Sequence, residues 1–179
     1  MIVYFIRHTT PNIERGICYG QSDIDVADNF EDEANFLLSK LQYVDTDIVI
    51  SSPLQRCTKL ASKLNTTYKT SKDLMELDFG DWELREWNTI PDEETSPWMN
   101  DFVTVPVPNG ESYLDLFARA IDAYKNIQNN NTIVVTHSGI IRSVLSHITN
   151  TDLNDSFDFK IPYGTIVKID TESNEYNIL

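Results

Sequence analysis

Two of the three histidines in this chain each follow a short apolar run, and each stands among residues suited to holding an anion. Arg7-His8-Thr9-Thr10 follows Ile2 to Ile6, and Thr136-His137-Ser138-Gly139 closes the run that begins at Thr132. Between them in sequence, Ser51-Ser52-Pro53-Leu54-Gln55-Arg56 follows the run from Asp47 to Ile50. Phosphoryl transfer needs these parts: a nucleophile placed in line and fixed positive charge on the equatorial oxygens. A neutral imidazole is a competent nucleophile near pH 7. Nearby guanidiniums favour that neutral form and offer paired donors to phosphate oxygens. A second imidazole can donate to the phosphoryl group as charge develops, and a carboxylic acid must protonate the leaving oxygen.

Each residue alone has an ordinary reading, a loop or core histidine or a surface arginine. Arg56 resists that reading. It falls in the first turn of a predicted helix, where a cation opposes the helix dipole at a cost of about 0.3–1 kcal/mol. A bound anion at that helix end reverses the sign. Arg142 has a similar early position after Gly139, with its facing open.

The elements that must position these residues follow from periodicity. Met1 to Arg7 reads as a buried strand, and Asp47 to Ile50 and Thr132 to Thr136 as two more. Phe30, Ala34, Leu37, Leu38 and Leu41 lie at helical spacing, with Asp28 or Asn29 as cap and acids in the first turn. Ser52 as N-cap with Pro53 at N1 predicts a helix bearing Leu54, Cys57, Ala61 and Leu64. A further helix starts at Asn109 or Ser112, another at Ser138-Gly139, and strands at Thr165 to Asp170 and Tyr176 to Leu179 close the chain. This alternation predicts an α/β fold: a three-layer α/β/α sandwich with a mainly parallel central sheet, in which ligands bind beyond the carboxyl ends of the strands. One domain over 1–179 is expected. Residues 81–108 hold all three tryptophans and four of the seven prolines, and read as a cap insertion. Trp82, Trp87 and Trp98 are read as its small core, with stacking on a heteroaromatic substrate as the alternative.

The net charge of −14 argues against nucleic acid and anionic membranes as partners. The N-terminal apolar run is too short to span a membrane and has no signal-peptide pattern, so a cytoplasmic protein is expected. Cys18 and Cys57 form neither a disulfide framework nor a metal spacing, and no metal or other cofactor is expected.

Together with Glu76-Leu77-Asp78-Phe79-Gly80, the three strand-end motifs resemble, in order and across nearly the whole chain, the histidine phosphatase (phosphoglycerate mutase-like) superfamily. The resemblance implies that His8 is the phosphorylated nucleophile, that Arg7 and Arg56 clamp the phosphate, that His137 completes the pocket, and that Glu76 is the proton donor. By motif position it also implies substrate contacts from Thr10, Gln21 and Ser138, ordinary turn chemistry being the alternative for Thr10 and Gln21. Glu83 and Glu111 are read as surface or helix-end acids, with lining of the pocket as the alternative, and His147 as a surface or core helix residue. A finer similarity, in Gly16 to Asp23, Phe79 to Glu83 and Trp87 to Pro91, is to alpha-ribazole phosphatases, which dephosphorylate alpha-ribazole 5′-phosphate in cobalamin synthesis. The implied substrate is therefore a small-molecule phosphate ester. The alternatives are a phosphoglycerate mutase, a broad sugar or nucleotide phosphatase, and a non-catalytic phosphate-binding module. The end at Leu179, without a tail over the site, favours hydrolysis over mutase action. Three positions depart from the family pattern: Thr9, Leu84 and Asn109 stand where glycine is usual.

Overall fold

The computed structural model describes residues 1–46, 48–65, 67–127 and 131–179. Its centre is a six-stranded sheet: β1 (Ile2–Arg7), β2 (Ile48–Ser51), β3 (Lys69–Thr70), β4 (Thr132–Thr136), β5 (Ile166–Asp170) and β6 (Tyr176–Ile178). The order across the sheet is β3-β2-β4-β1-β5-β6. β3, β2, β4 and β1 pair in parallel, whereas β5 is antiparallel to both β1 and β6. The expected strands are present; Asp47, first residue of one of them as read from sequence, lies outside the described residues. The short edge strand β3 was not anticipated.

Helices α1 (Phe30–Leu41) and α2 (Gln55–Leu64) cover one face; α4 (Tyr113–Ile127) and α5 (Ser138–Thr149) cover the other. The alternation of β1 accounts for this. Val3 and Phe5 join the cluster of Leu116, Tyr124, Ile140 and Val144, and Ile6 joins that of Ala34, Leu37, Leu60 and Ala61. The result is the expected α/β/α sandwich. No helix among the described residues is long and apolar enough to cross a membrane.

The predicted start of α2 needs correction. Its N-cap is Leu54, not Ser52, and Pro53 lies ahead of the helix. Ser52 Oγ sits 2.9 Å from His137 Nε2 and accepts only a long 3.4 Å bond from the Leu54 N–H. The capping residue is thus diverted to the histidine. Ser112, by contrast, forms a reciprocal cap: its Oγ accepts from Asp115 N at 3.2 Å, and Asp115 Oδ2 accepts from Ser112 N at 2.9 Å.

Within residues 80–107, Trp82, Ile90 and Val107 gather with Cys18 in a third small cluster. Helix α3 (Asp92–Asn100), unforeseen from sequence, carries no buried residue and has Pro97 inside it. Two of the departures from the family pattern lie in the left-handed region: Asn109 at φ 55° and Leu84 at φ 64°. Asparagine tolerates that conformation; leucine is strained there by about 1–2 kcal/mol. Leu84 is 57% exposed, so little packing offsets the strain. Leu84→Gly is expected to raise Tm by about 2 °C in a thermal melt, after allowance for glycine's chain entropy.

Candidate active site

Three adjacent strands of the parallel set, β2, β4 and β1, end side by side, and their ends bring the charged motifs together. His8 N donates to Thr136 O at 3.0 Å, and Ser52 N to Val135 O at 2.9 Å. The His8 and His137 rings lie 5.0 Å apart, centroid to centroid, in edge contact. Both are buried at one end of a pocket that is also lined by Arg7, Arg56, Glu76, Ser138, Arg142 and Tyr19.

The hydrogen bonds of His8 fix its reactive atom. Nδ1 lies 2.7 Å from Thr9 O, and a carbonyl only accepts, so Nδ1 carries the proton. In the neutral ring the lone pair is therefore on Nε2. Burial, then Arg56 and Arg7, hold His8 well below its ordinary value of 6.5. His137 is lowered likewise, by burial first and then by His8, Arg56, Arg7 and Arg119. Its Nε2 contacts Ser52 Oγ and, at 3.5 Å, Cys57 Sγ. Its Nδ1 is buried with no protein partner among the described residues. Burial pushes the Cys57 thiol up to about 12, so it remains a neutral neighbour.

These depressed values carry a stability consequence. Below pH 6.5 the unfolded chain binds protons at both positions that the native state does not, so stability falls as pH falls and is full above that value. Tm is expected to be flat from pH 8 to about 6.5 and to decline toward pH 5, with a shallower decline in His8→Gln. Melts across that range test this.

The arginines are held by main-chain carbonyls, not by acids. Arg7 Nη1 donates to Ile161 O at 2.6 Å and its guanidinium lies 3.9 Å from the Tyr163 ring centroid. Fully buried Arg56 donates to Ser22 O at 2.8 Å and Gly20 O at 2.5 Å and lies over Tyr19. The two tyrosine hydroxyls are 2.6 Å apart and bridge the arginines. The loop that receives Arg56 is itself fixed by Glu83, which accepts from the N–H of Gly20, Gln21, Ser22 and Phe79 and from Ser22 Oγ. Burial alone would raise the Glu83 carboxyl, but these donors together bring it below the usual range. Glu83 is thus neither a surface acid nor a pocket residue but the anchor of the Arg56 loop. Gly20 permits the approach; a Cβ there would meet Leu77 O at 1.8 Å.

Glu76 faces the pocket from the other side. Its carboxylate accepts from Gly139 N at 3.1 Å, Ser138 Oγ at 3.2 Å and Leu77 N at 3.1 Å. A Cβ at position 139 would lie 2.2 Å from Glu76 Oε1, so glycine is required for this contact. Glu111 forms a two-point ion pair with Arg119, whose Nη1 and Nη2 hold the carbonyls of Asp73, Met75 and Glu76. The pair pins the backbone that carries Glu76.

Thr10 and Gln21 are placed elsewhere. Thr10 gives its N–H and hydroxyl to Glu33, each at 2.7 Å, and Gln21 Nε2 donates to Glu76 O at 3.1 Å. Neither lines the pocket. Ser138 does, through its contact with Glu76. His147 is exposed on α5. Sequence reading missed Tyr163 and the facing of Arg142. The second was accessible: Ser138 and Arg142 are four residues apart on one helix face.

The far wall is aromatic, formed by Phe79, Trp98, Phe102 and Phe157. Trp98 stacks on Trp87 with an interplanar angle of 26°. Of the three tryptophans, Trp82 alone is fully enclosed in the small core; Trp98 reaches the pocket. Among the described residues no group of three or more His, Cys, Asp or Glu side chains is arranged to hold a metal.

Comparison with known proteins gives the family and the fold. The family model of the histidine phosphatase superfamily (branch 1) matches residues 3–179. The adenosylcobalamin/alpha-ribazole phosphatase of Escherichia coli (strain K12) is 25% identical over 185 residues, covering 95% of this chain and 90% of that protein. In fold, the chain is similar to the alpha-ribazole phosphatase from Shigella flexneri, with TM-score 0.89, 22% identity, and coverage of 100% and 95% of the two chains. It is also similar to a mycobacterial glucosyl-3-phosphoglycerate phosphatase, with TM-score 0.85, 17% identity, and coverage of 99% and 96%.

Proposed function

Because the chain belongs to the histidine phosphatase superfamily, we propose that it hydrolyses a small phosphate monoester through a phosphohistidine on His8, and that the leaving group bears an aromatic ring. The observation that carries the reading is the His8 ring itself: Nδ1 is committed to Thr9 O, so the Nε2 lone pair is free beside His137, Arg7 and Arg56.

In the first step the Nε2 lone pair forms the N–P bond while the ester P–O bond breaks, and Glu76 gives its proton to the departing oxygen. Arg7 and Arg56 carry the equatorial charge, and His137 Nδ1, which has no partner among the described residues, donates to a phosphoryl oxygen in the tautomer in which Ser52 Oγ donates to Nε2. In the second step water forms a new O–P bond, the N–P bond breaks, and Glu76 takes the water proton. Histidine and acid return to their starting states.

The aromatic wall supports a flat leaving group, and the named relatives make alpha-ribazole 5′-phosphate the first substrate to test. Residues 81–108 supply Trp98 and Phe102 to that wall and act as a cap on the leaving-group side. Action in the cytoplasm is part of this proposal, in keeping with a small biosynthetic ester as substrate.

The test is turnover, without added metal, of alpha-ribazole 5′-phosphate, 3-phosphoglycerate, fructose 2,6-bisphosphate, nucleotides and p-nitrophenyl phosphate, with His8→Ala as control. A clear preference for alpha-ribazole 5′-phosphate that the control abolishes is the expected result. Broad, weak, His8-dependent turnover would retain the chemistry and remove that substrate. Return of the phosphoryl group to 3-phosphoglycerate would mark a mutase, and no turnover of any ester a binding module.

A further inference from the structure

The chain has six arginines, and their partners divide them. Arg85 pairs with Glu94 and Arg119 with Glu111, and Arg15 is exposed. The remaining three, Arg7, Arg56 and Arg142, all line one pocket, and none forms an ion pair with a carboxylate among the described residues. In a protein of net charge −14, three guanidiniums without an ion-pair partner among the described residues in one pocket are a concentrated exception.

Arg142 is built into its place. Its Nε donates to Phe159 O at 3.2 Å, and its guanidinium lies 4.8 Å from the Phe157 ring centroid. Nη1 and Nη2 have no acceptor among the described residues. The group is therefore oriented on one edge and open on the other, beside the aromatic wall. One further donor stands nearby without a partner among the described residues: the buried Trp98 Nε1–H, on a side chain that lines the pocket.

Charge balance separates Arg142 from the phosphate clamp. A bound phosphate monoester carries close to two negative charges at neutral pH, which Arg7 and Arg56 match. Glu76 is uncharged when it holds the proton that it donates. One guanidinium is left over, with planar paired donors suited to a carboxylate or another strong acceptor.

We infer that Arg142 forms a second polar subsite, which receives a hydrogen-bond acceptor on the leaving group, an anionic carboxylate most strongly. The substrate class is then a phosphate ester whose leaving group bears an aryl or heteroaryl ring with an acceptor on it, rather than a purely apolar ring. The inference rests on the phosphatase reading for the orientation of the ester, and a binding measurement separates the two.

Benzylphosphonate and its 3- and 4-carboxy derivatives mimic the ester without being hydrolysed, so their affinities are independent of turnover. Titration calorimetry is expected to show at least one carboxy compound binding wild-type protein five-fold or more tighter than benzylphosphonate. In Arg142→Met that ratio is expected to fall to near one, and Arg142→Lys to keep part of it. Equal affinities in the wild type overturn the inference, and need no variant to do so. An unchanged ratio in a folded Arg142→Met protein also overturns it. Failure of the phosphatase reading shows separately, as the absence of His8-dependent turnover of any ester.

Discussion

His8→Ala is expected to abolish phosphatase activity, with kcat falling on the order of 10^4-fold or more, while inorganic phosphate still binds. The size of the effect follows from the role assigned to the ring. When the nucleophile of a covalent mechanism is removed, the remaining groups still bind and polarise the ester, but no bond to the enzyme forms. Retained binding follows from electrostatics. His8 is held neutral by burial and by the arginines, so its removal subtracts no charge from the site. Arg7 and Arg56 are fixed by Ile161, Gly20 and Ser22, none of which contacts the His8 ring through a hydrogen bond. The Thr9 carbonyl loses its partner, at a cost of about 1–3 kcal/mol, so a melt must accompany the assay. Rapid quenching of wild type with substrate should trap an acid-labile phosphorylated protein, and His8→Ala should yield none. A phosphorylated species in the variant, or activity within a hundred-fold of wild type, contradicts the assignment.

The parts of this site that were legible in sequence are those fixed by strand ends. An apolar run that stops at Arg7, at Ser51 or at Thr136 marks where a buried strand meets the edge of the sheet, and parallel neighbours bring such edges together. His8, His137 and Arg56 follow from that logic. What sequence concealed depends on competition between partners. Ser52 looks like a helix cap, and would be one, but the imidazole of His137 competes for its hydroxyl. Glu83 looks like a solvated acid because no periodicity reveals that four main-chain N–H groups converge on it from two loops. The same holds for the Arg119–Glu111 pair, whose purpose appears only when the Glu76 backbone lies against it. Helix α3 and strand β3 left no signal because neither buries a residue, and burial is what writes periodicity into a sequence.

Glu76→Gln is expected to separate substrates by their leaving groups. Glutamine keeps the shape and can still accept from Gly139 N, but it has no proton to transfer. A sugar-type alkoxide cannot leave unprotonated, so kcat/KM for such esters should fall about 10^2- to 10^4-fold. Nitrophenolate leaves readily without a proton, so the first step with p-nitrophenyl phosphate should proceed near its normal rate. The second step still lacks its base, because the amide cannot take the proton of the attacking water. Phosphohistidine should then accumulate, and stopped-flow mixing should record a burst of about one equivalent of nitrophenolate followed by slow turnover. No such burst is expected with an alkyl ester, for which the first step is itself slow. The contrast is the signature of a proton donor. Loss of Arg119, which holds the Glu76 backbone, would displace the carboxyl and give the same dependence on leaving group in weaker form. Equal slowing of the first step for both esters in Glu76→Gln would therefore assign the proton to another group.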